Sequence, residues 1–160
     1  MNPVLKLLLE GESLDTAQMG KILGTSAEAV ERDLAQLRRE GILLGIRPVL
    51  SPSWEAERLV RAVIEIKLRP EGRGGFDGLA ERISAFDQVE SCHLMSGGYD
   101  LLVVVTADSL YKVASFVHER LARIEGVQGT STHFILRAYK KDGFVVGDQA
   151  ADRDKPSVSA

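Results

Sequence analysis

The stretch GTSAEAVERDLAQLRREGI (residues 24–42) carries a stop, a cap, an apolar stripe and a second stop. Gly24 ends whatever precedes it, and Thr25 or Ser26 can cap the helix beyond. Thr25 with Glu28 three residues on fits a capping box, so Thr25 is the favoured cap. Stepped round at about 100° per residue, Ala27, Val30, Leu34 and Leu37 fall on one side. The opposite side carries Glu28, Arg32, Gln36 and Arg39, and Gly41 closes the helix.

Two shorter helices are expected before it. VLKLLLE (4–10) is apolar and ends at Gly11. DTAQMGKILG (15–24), capped by Ser13 or Asp15, places Met19, Ile22 and Leu23 on one side. Three short helices with a tight glycine turn before the last are the pattern of a helix-turn-helix. ILLGIRPVLSPSW (42–54) is broken by Gly45, Pro48 and Pro52 and reads as an extended connector, able to pair with its counterpart in a second subunit.

From residue 59 the apolar period changes. RAVIEIKL (61–68) alternates as a strand, and Pro70, Gly72, Gly74 and Gly75 mark a loop. FDGLAERISAF (76–86) has helical spacing, and VESCHLMS (89–96) is a second strand. Gly97 and Gly98 turn the chain into YDLLVVVTA (99–107), apolar enough to be central in a sheet. Asp108 or Ser109 caps the helix LYKVASFVHERLARI (110–124), and GVQGTSTHFILRAYK (126–140) reads as a long last strand. The order β-α-β-β-α-β is the ferredoxin-like pattern. Its two helices cover one sheet face, so the other needs a cover, for which dimerisation is the usual route.

The expected class is α+β. A helix-turn-helix (winged-helix-like) domain spans 1–44, an extended linker 45–58, a ferredoxin-like domain 59–141 and a polar tail 142–160. Apolar residues make up 44% and charged residues 27% of the 160, and the formal net charge is −3. These values fit a globular chain and exclude one coated in positive charge. Residues 1–50 hold six basic and seven acidic side chains. The single cysteine, Cys92, cannot form an intrachain disulfide and reads as a small buried side chain. The N-terminus lacks the long apolar run and cleavage site of a signal peptide, and no stretch approaches the ~20 apolar residues that cross a bilayer. A cytoplasmic location is expected, without membrane partners. His93, His118 and His133 stand on different elements and form no metal-ligand spacing. No phosphate loop or nucleophile elbow is present, so neither a metal nor an organic cofactor is expected.

Residues 3–141 resemble the Lrp/AsnC (leucine-responsive, feast/famine) family of transcription regulators. In the N-terminal part MGKILGTS (19–26), Val30, Leu37, Gly41 and Ile42 occupy the places of the family's Leu-Ala-x-x-x-Gly-x-Ser, helix valine and Leu-x-x-x-Gly-x-Ile. In the C-terminal part SGGYDLLVVV (96–105) resembles the family's Gly-x-Tyr-Asp turn, and GVQGTSTHFIL (126–136) its Thr-x-Thr strand. Four positions depart from the pattern. Asp33 stands where the family often has arginine, Ala35 and Gln36 where basic residues are common, and Gly20 where alanine is usual.

The resemblance implies a non-enzymatic regulator that binds double-stranded DNA and a small effector, an amino acid. It implies self-association as a dimer, with octamers common in the family. It places Arg32 and Gln36 at base edges, Lys21, Thr25, Ser26 and Arg39 at phosphates, and Arg38 and Arg47 as further backbone contacts. Glu28 is the awkward residue on that face. An acid there complements the helix dipole, and an acid can also accept from cytosine N4. For the effector, the resemblance implies Gly97, Gly98, Tyr99 and Asp100, with Thr130 and Thr132 in support. Backbone amides at the turn would hold a carboxylate and Asp100 an amino group. Two other readings stay open. Sirohaem decarboxylases are similar in their two modules, and Arg61, Arg137 and His133 are unassigned here. The helical head could also be a packing module of a sensor or assembly protein that no longer binds DNA.

Overall fold

A computed structural model describes residues 1–11, 14–69 and 75–147. The chain divides into two compact units, residues 1–48 and residues 49–160.

The first unit is three helices, α1 (Pro3–Leu9), α2 (Thr16–Leu23) and α3 (Ala27–Arg39). Each begins with a side chain that satisfies orphan amides. Asn2 accepts from the amides of Val4 (2.8 Å) and Leu5 (3.2 Å), and Pro3 supplies a preset φ at the first position. Asp15 accepts from the Gln18 amide at 2.7 Å while the Gln18 side chain accepts from the Asp15 amide at 2.9 Å. The capping box therefore belongs to α2, not to α3. On α3 the cap is Ser26, which accepts from the Ala29 amide at 3.2 Å, not Thr25. Ser26 takes the extended φ of a cap, and it comes after Gly24, which turns through φ 68°. The alternative cap Ser13 lies outside the described residues.

Val4, Met19, Val30 and Leu34 form the core of this unit, with Leu7, Leu8, Leu14, Leu23 and Leu43 packed round it. The α3 stripe is as the spacing predicts. On α2 it is not, because Ile22 is exposed. The buried pair Met19 and Gly20 centres the inner face a step round from Ile22. Gly20 is inside because α2 crosses the start of α3 there. A Cβ at this position would meet the Thr25 carbonyl oxygen at 2.8 Å and the Ser26 carbonyl carbon at 3.2 Å. Glycine here thus permits the close approach of α2 to the turn, which a Cβ would obstruct.

The expected connector is extended only as far as Ser51, and Pro52 does not continue it. It starts a short helix, α4 (Pro52–Ala56), because proline is tolerated where the amide has no intrahelical partner. The remaining elements are β1 (Val60–Leu68), α5 (Gly75–Ser84), β2 (Val89–Leu94), β3 (Leu101–Ala107), α6 (Leu110–Glu119), a 3-10 turn (Leu121–Arg123), β4 (Val127–Phe134), β5 (Lys140–Lys141) and β6 (Phe144–Val145). The four long strands form an antiparallel sheet in the order β2-β3-β1-β4, so β3 is central as its composition predicts. Pro70, Gly72 and Gly74 of the expected loop lie outside the described residues.

Alternate residues of the two central strands face the helices. Ala62, Ile64, Ile66 and Leu68 join Leu101, Val103 and Val105 beneath Leu79 and Ile83 of α5 and Val113 and Phe116 of α6. Phe86 meets Phe116 edge to face at 5.3 Å. Cys92 packs against this core. On the opposite face Val63, Leu102 and Val104 remain half-buried, flanked by Glu65, His93 and His133.

The last strand is shorter than expected. It stops at Phe134, with one further bond from the Ile135 amide to the Arg61 carbonyl at 3.0 Å, because its partner β1 begins at Val60. The expected polar tail starts with a hairpin. Asp142 (φ 46°) and Gly143 (φ 89°) both take positive φ and reverse the chain between β5 and β6. Asp-Gly is the favoured pair for such a two-residue turn. Residues 148–160 lie outside the described residues.

Gly20 yields a stability prediction. Alanine would add helix propensity of about 1 kcal/mol. Its Cβ would force backbone against backbone, a distortion that typically costs about 1–3 kcal/mol. Gly20→Ala is therefore expected to lower the melting temperature of an isolated fragment 1–48 or of the first transition in the full chain, measured by circular dichroism.

Candidate DNA-reading face and candidate effector turn

The outer face of α3 is set by what its other faces are tied to. Val30, Leu34 and Leu37 dock into the three-helix unit. Of the acids in this helix, Asp33 accepts a hydrogen bond from the Asn2 side-chain amide at 3.2 Å. Asn2 is also the cap of α1, so Asp33 fastens the start of α1 to the middle of α3. Glu31 accepts from the Thr16 hydroxyl at 3.4 Å and so reaches α2. These two carboxylates bind neighbouring helices at the flanks and leave the outermost surface to others.

That surface holds Glu28, Arg32, Gln36 and Arg39, all exposed or nearly so, and Thr25 and Ser26 lie at its beginning. Gln36 donates to Glu40 at 2.7 Å, one turn on. Glu28 has its carboxyl held below the usual range, first by a hydrogen bond with its own backbone amide. The Ser26 hydroxyl acts in the same direction, desolvation pushes back, and the charge of Arg32 lowers it least. It is a carboxylate at neutral pH. Lys21 is exposed in the last turn of α2, Arg38 on a border of α3, and Arg47 in the segment after it. Lys21, Thr25, Ser26, Arg32, Gln36, Arg38 and Arg39 are thus all on the surface of one small unit. Arg47 stands apart from the helices, in residues 43–51, which form no regular element.

In the second unit the turn between β2 and β3 carries Gly97, Gly98, Tyr99 and Asp100. Gly97 has φ 139°, a conformation open to glycine at little cost. Asp100 is knitted into the end of the sheet. Its amide donates to the Ile66 carbonyl at 3.0 Å, and its carbonyl accepts from the Met95 amide at 2.8 Å. Its carboxylate Oδ2 accepts from the Leu68 amide at 2.7 Å. Lys67 Nζ lies 3.8 Å from the same oxygen and donates to the Gly98 carbonyl at 3.3 Å. The turn is therefore a small frame in which a carboxylate, an ammonium and exposed backbone converge. Thr130 pairs opposite Ile66 and Thr132 opposite Ile64, so both lie across β1 from the turn, on the helix-covered side of the sheet. Thr130 shares that end of the sheet with Asp100, and Thr132 is one step further along.

One polar cluster lies outside those expectations. Glu55 of α4 pairs with Lys141 of β5, and Arg61 of β1 approaches Glu55 at 3.5 Å and Glu90 of β2 at 2.9 Å. Glu55, Arg61 and Lys141 border a recess of about 320 Å³ that also includes Leu59, Thr106 and Leu136. The sequence signal for this cluster is the Asp142–Gly143 pair, which brings β6 back along β5. Arg61 is engaged by two carboxylates, and His133 lies beside Glu65 at 3.7 Å, so these two unassigned residues are each tied to acids. Among the described residues no group of three metal-ligating side chains converges. No helix among them is long and apolar enough to cross a membrane.

Comparison with known proteins agrees in both units. The model of the Lrp/AsnC ligand binding domain matches residues 61–145. The HTH-type transcriptional regulator YugG of Bacillus subtilis (strain 168) is 36% identical over 158 residues, covering 97% of this chain and 93% of its own length. A transcriptional regulator of Neisseria meningitidis in complex with L-methionine superposes with a TM-score of 0.65 at 22% identity, over 89% of this chain and 92% of that one. A feast or famine regulatory protein from M. tuberculosis complexed with L-methionine gives a TM-score of 0.68 at 18% identity, over 90% and 95%. The two solved structures carry the fold. The family match and the full-length relative carry the kinship: this chain belongs to the Lrp/AsnC family of transcription regulators.

Proposed function

We propose that this protein is a sequence-specific regulator that reads double-stranded DNA with α3 and responds to a small amino acid at the Gly97–Asp100 turn. The observation that carries the first half is the division of labour on α3. Its acids at 31 and 33 bond to the neighbouring helices, while Arg32, Gln36 and Arg39 point outward. Arg32 and Gln36 are the base-edge contacts, since arginine suits guanine and glutamine suits adenine in the major groove. Thr25, Ser26, Lys21 and Arg39 hold phosphates beside the helix start, with Arg38 and Arg47 further along the backbone. So few cations give one head a weak grip. A dimer, and assembly of dimers up to an octamer, supplies the several heads that useful affinity needs. The uncovered sheet face with Val63, Leu102 and Val104 supports such pairing.

The effector half rests on the frame at Asp100. An amino acid needs one acceptor for its ammonium and donors for its carboxylate. Asp100, Lys67 and the amides of Gly97, Gly98 and Tyr99 supply both signs within one turn, and Thr130 and Thr132 add hydroxyls across β1. The relatives solved with L-methionine make that amino acid the first probe. An effector that changes how copies pack changes the spacing of the reading heads, and so couples the two sites.

Two measurements check these roles. In a gel shift against genomic fragments that include the upstream region of its own gene, the wild type is expected to give discrete bands. Arg32→Ala with Gln36→Ala should weaken the specific band by roughly tenfold or more, the loss of at least one base contact. Unchanged binding would refute the assignment. For the effector, Asp100→Asn keeps an acceptor for the Leu68 amide and removes the charge. Calorimetric titration with L-methionine and other common amino acids should give heat with the wild type and none with Asp100→Asn at an unaltered melting temperature. Heat that survives this change would exclude Asp100 as the ammonium partner.

A further inference from the structure

An exposed carboxylate on a surface meant for a polyanion demands a reason. Glu28 has no tie to another helix that would explain its place, unlike Glu31 and Asp33. At the helix start its carboxylate bonds only to its own amide and the Ser26 hydroxyl, and the Ala29 amide is satisfied by Ser26 without it. Its benefit to the helix dipole is small and would be served as well by an acid on a flank. Beside phosphates its charge lowers affinity for every sequence alike. A group that weakens all binding is useful where it weakens wrong binding more.

The position favours such a role. Glu28 is in the first turn of α3, and N-terminal residues of a recognition helix approach base edges. It is ionised at neutral pH, so it accepts hydrogen bonds and donates none. Two bases offer donors in the major groove. Adenine N6 sits next to the N7 acceptor, whose lone pair repels a carboxylate. Cytosine N4 has no acceptor beside it on its own base. The partner of cytosine is guanine, whose O6 and N7 suit an arginine, and Arg32 lies one turn from Glu28 on the same outward face. The acid and the base thus match the two halves of a C·G pair.

We infer that Glu28 is a specificity-determining residue of this regulator, its carboxylate accepting from cytosine N4 in the major groove while Arg32 holds the guanine paired with that cytosine. The inference rests on the DNA-reading role of α3 proposed above. It assigns the negative charge to discrimination and the positive charges to grip.

The test is selection of binding sites from a randomised duplex pool with full-length wild type, Glu28→Gln and Glu28→Ala, followed by sequencing. Melting temperatures of the three proteins confirm that each is folded. The wild type is expected to select sites with a strong cytosine preference at one position in each half-site. Glu28→Gln should move that position towards adenine, which a carboxamide reads through N6 and N7. Glu28→Ala should flatten it, with the discrimination falling by roughly tenfold. If both variants keep the cytosine preference and merely bind every sequence more tightly, Glu28 is a general repulsive charge and the inference fails while the regulator reading stands. If the wild type selects no sequence at all, the regulator reading fails and takes this inference with it.

Discussion

Each unit of this chain is organised by a core built of apolar side chains alone, with no buried polar or charged residue among the described ones. Burial of apolar area is the main favourable term in folding, at about 25 cal/mol per Å². It has no directional preference, so it fixes which faces turn inward and little else. The polar groups do the aligning from the rims. Asn2, Asp15 and Ser26 cap the three helices, and Asp33 and Glu31 bind α3 to its neighbours. Asp100 joins the head of β3 to the end of β1. Function then has only the same rims to use, and both candidate sites are made of side chains adjacent to these fastenings.

That sharing of the rims explains the mixed charge of the first unit. Six basic and seven acidic side chains in residues 1–50 argue against a nucleic-acid-binding surface when they are merely counted. Three of those acids, Asp15, Glu31 and Asp33, are engaged within the helical unit, and the outward surface is more positive than the sum suggests. Asp33, at a position where the resemblance would often place arginine, is therefore part of the scaffold of this unit. It leaves Arg32 outside.

How much of the fold and of the sites is legible in the sequence varies with the range of the interaction. Apolar periods place both units, because the stripe of Val30, Leu34 and Leu37 and the alternation of Ala62, Ile64 and Ile66 are local signals of which face is buried. Ends are less legible. The preference between Thr25 and Ser26 as cap depends on where Gly24 leaves the backbone, and a helix could start at either. Ile22 has the spacing of a core residue, but the close crossing at Gly20 turns the buried side of α2 away from it. The Asp142–Gly143 hairpin is a strong two-residue signal, masked by the polar composition around it. The partners of Asp33 and Asp100 are beyond sequence reasoning, since Asn2 and Leu68 lie 31 and 32 residues away and no local pattern links them.

The tie between α4 and β5 has a topological consequence. Lys141 binds Glu55 and donates to the Leu50 carbonyl at 3.3 Å, across 91 residues of chain. Among the described residues the Lys141 ammonium therefore ties the first segment of the second unit to its β5–β6 hairpin. Residues 50–55 and the hairpin share these bonds, so they open together instead of fraying one at a time. Whatever loosens residues 50–55 also releases the hairpin of β5 and β6.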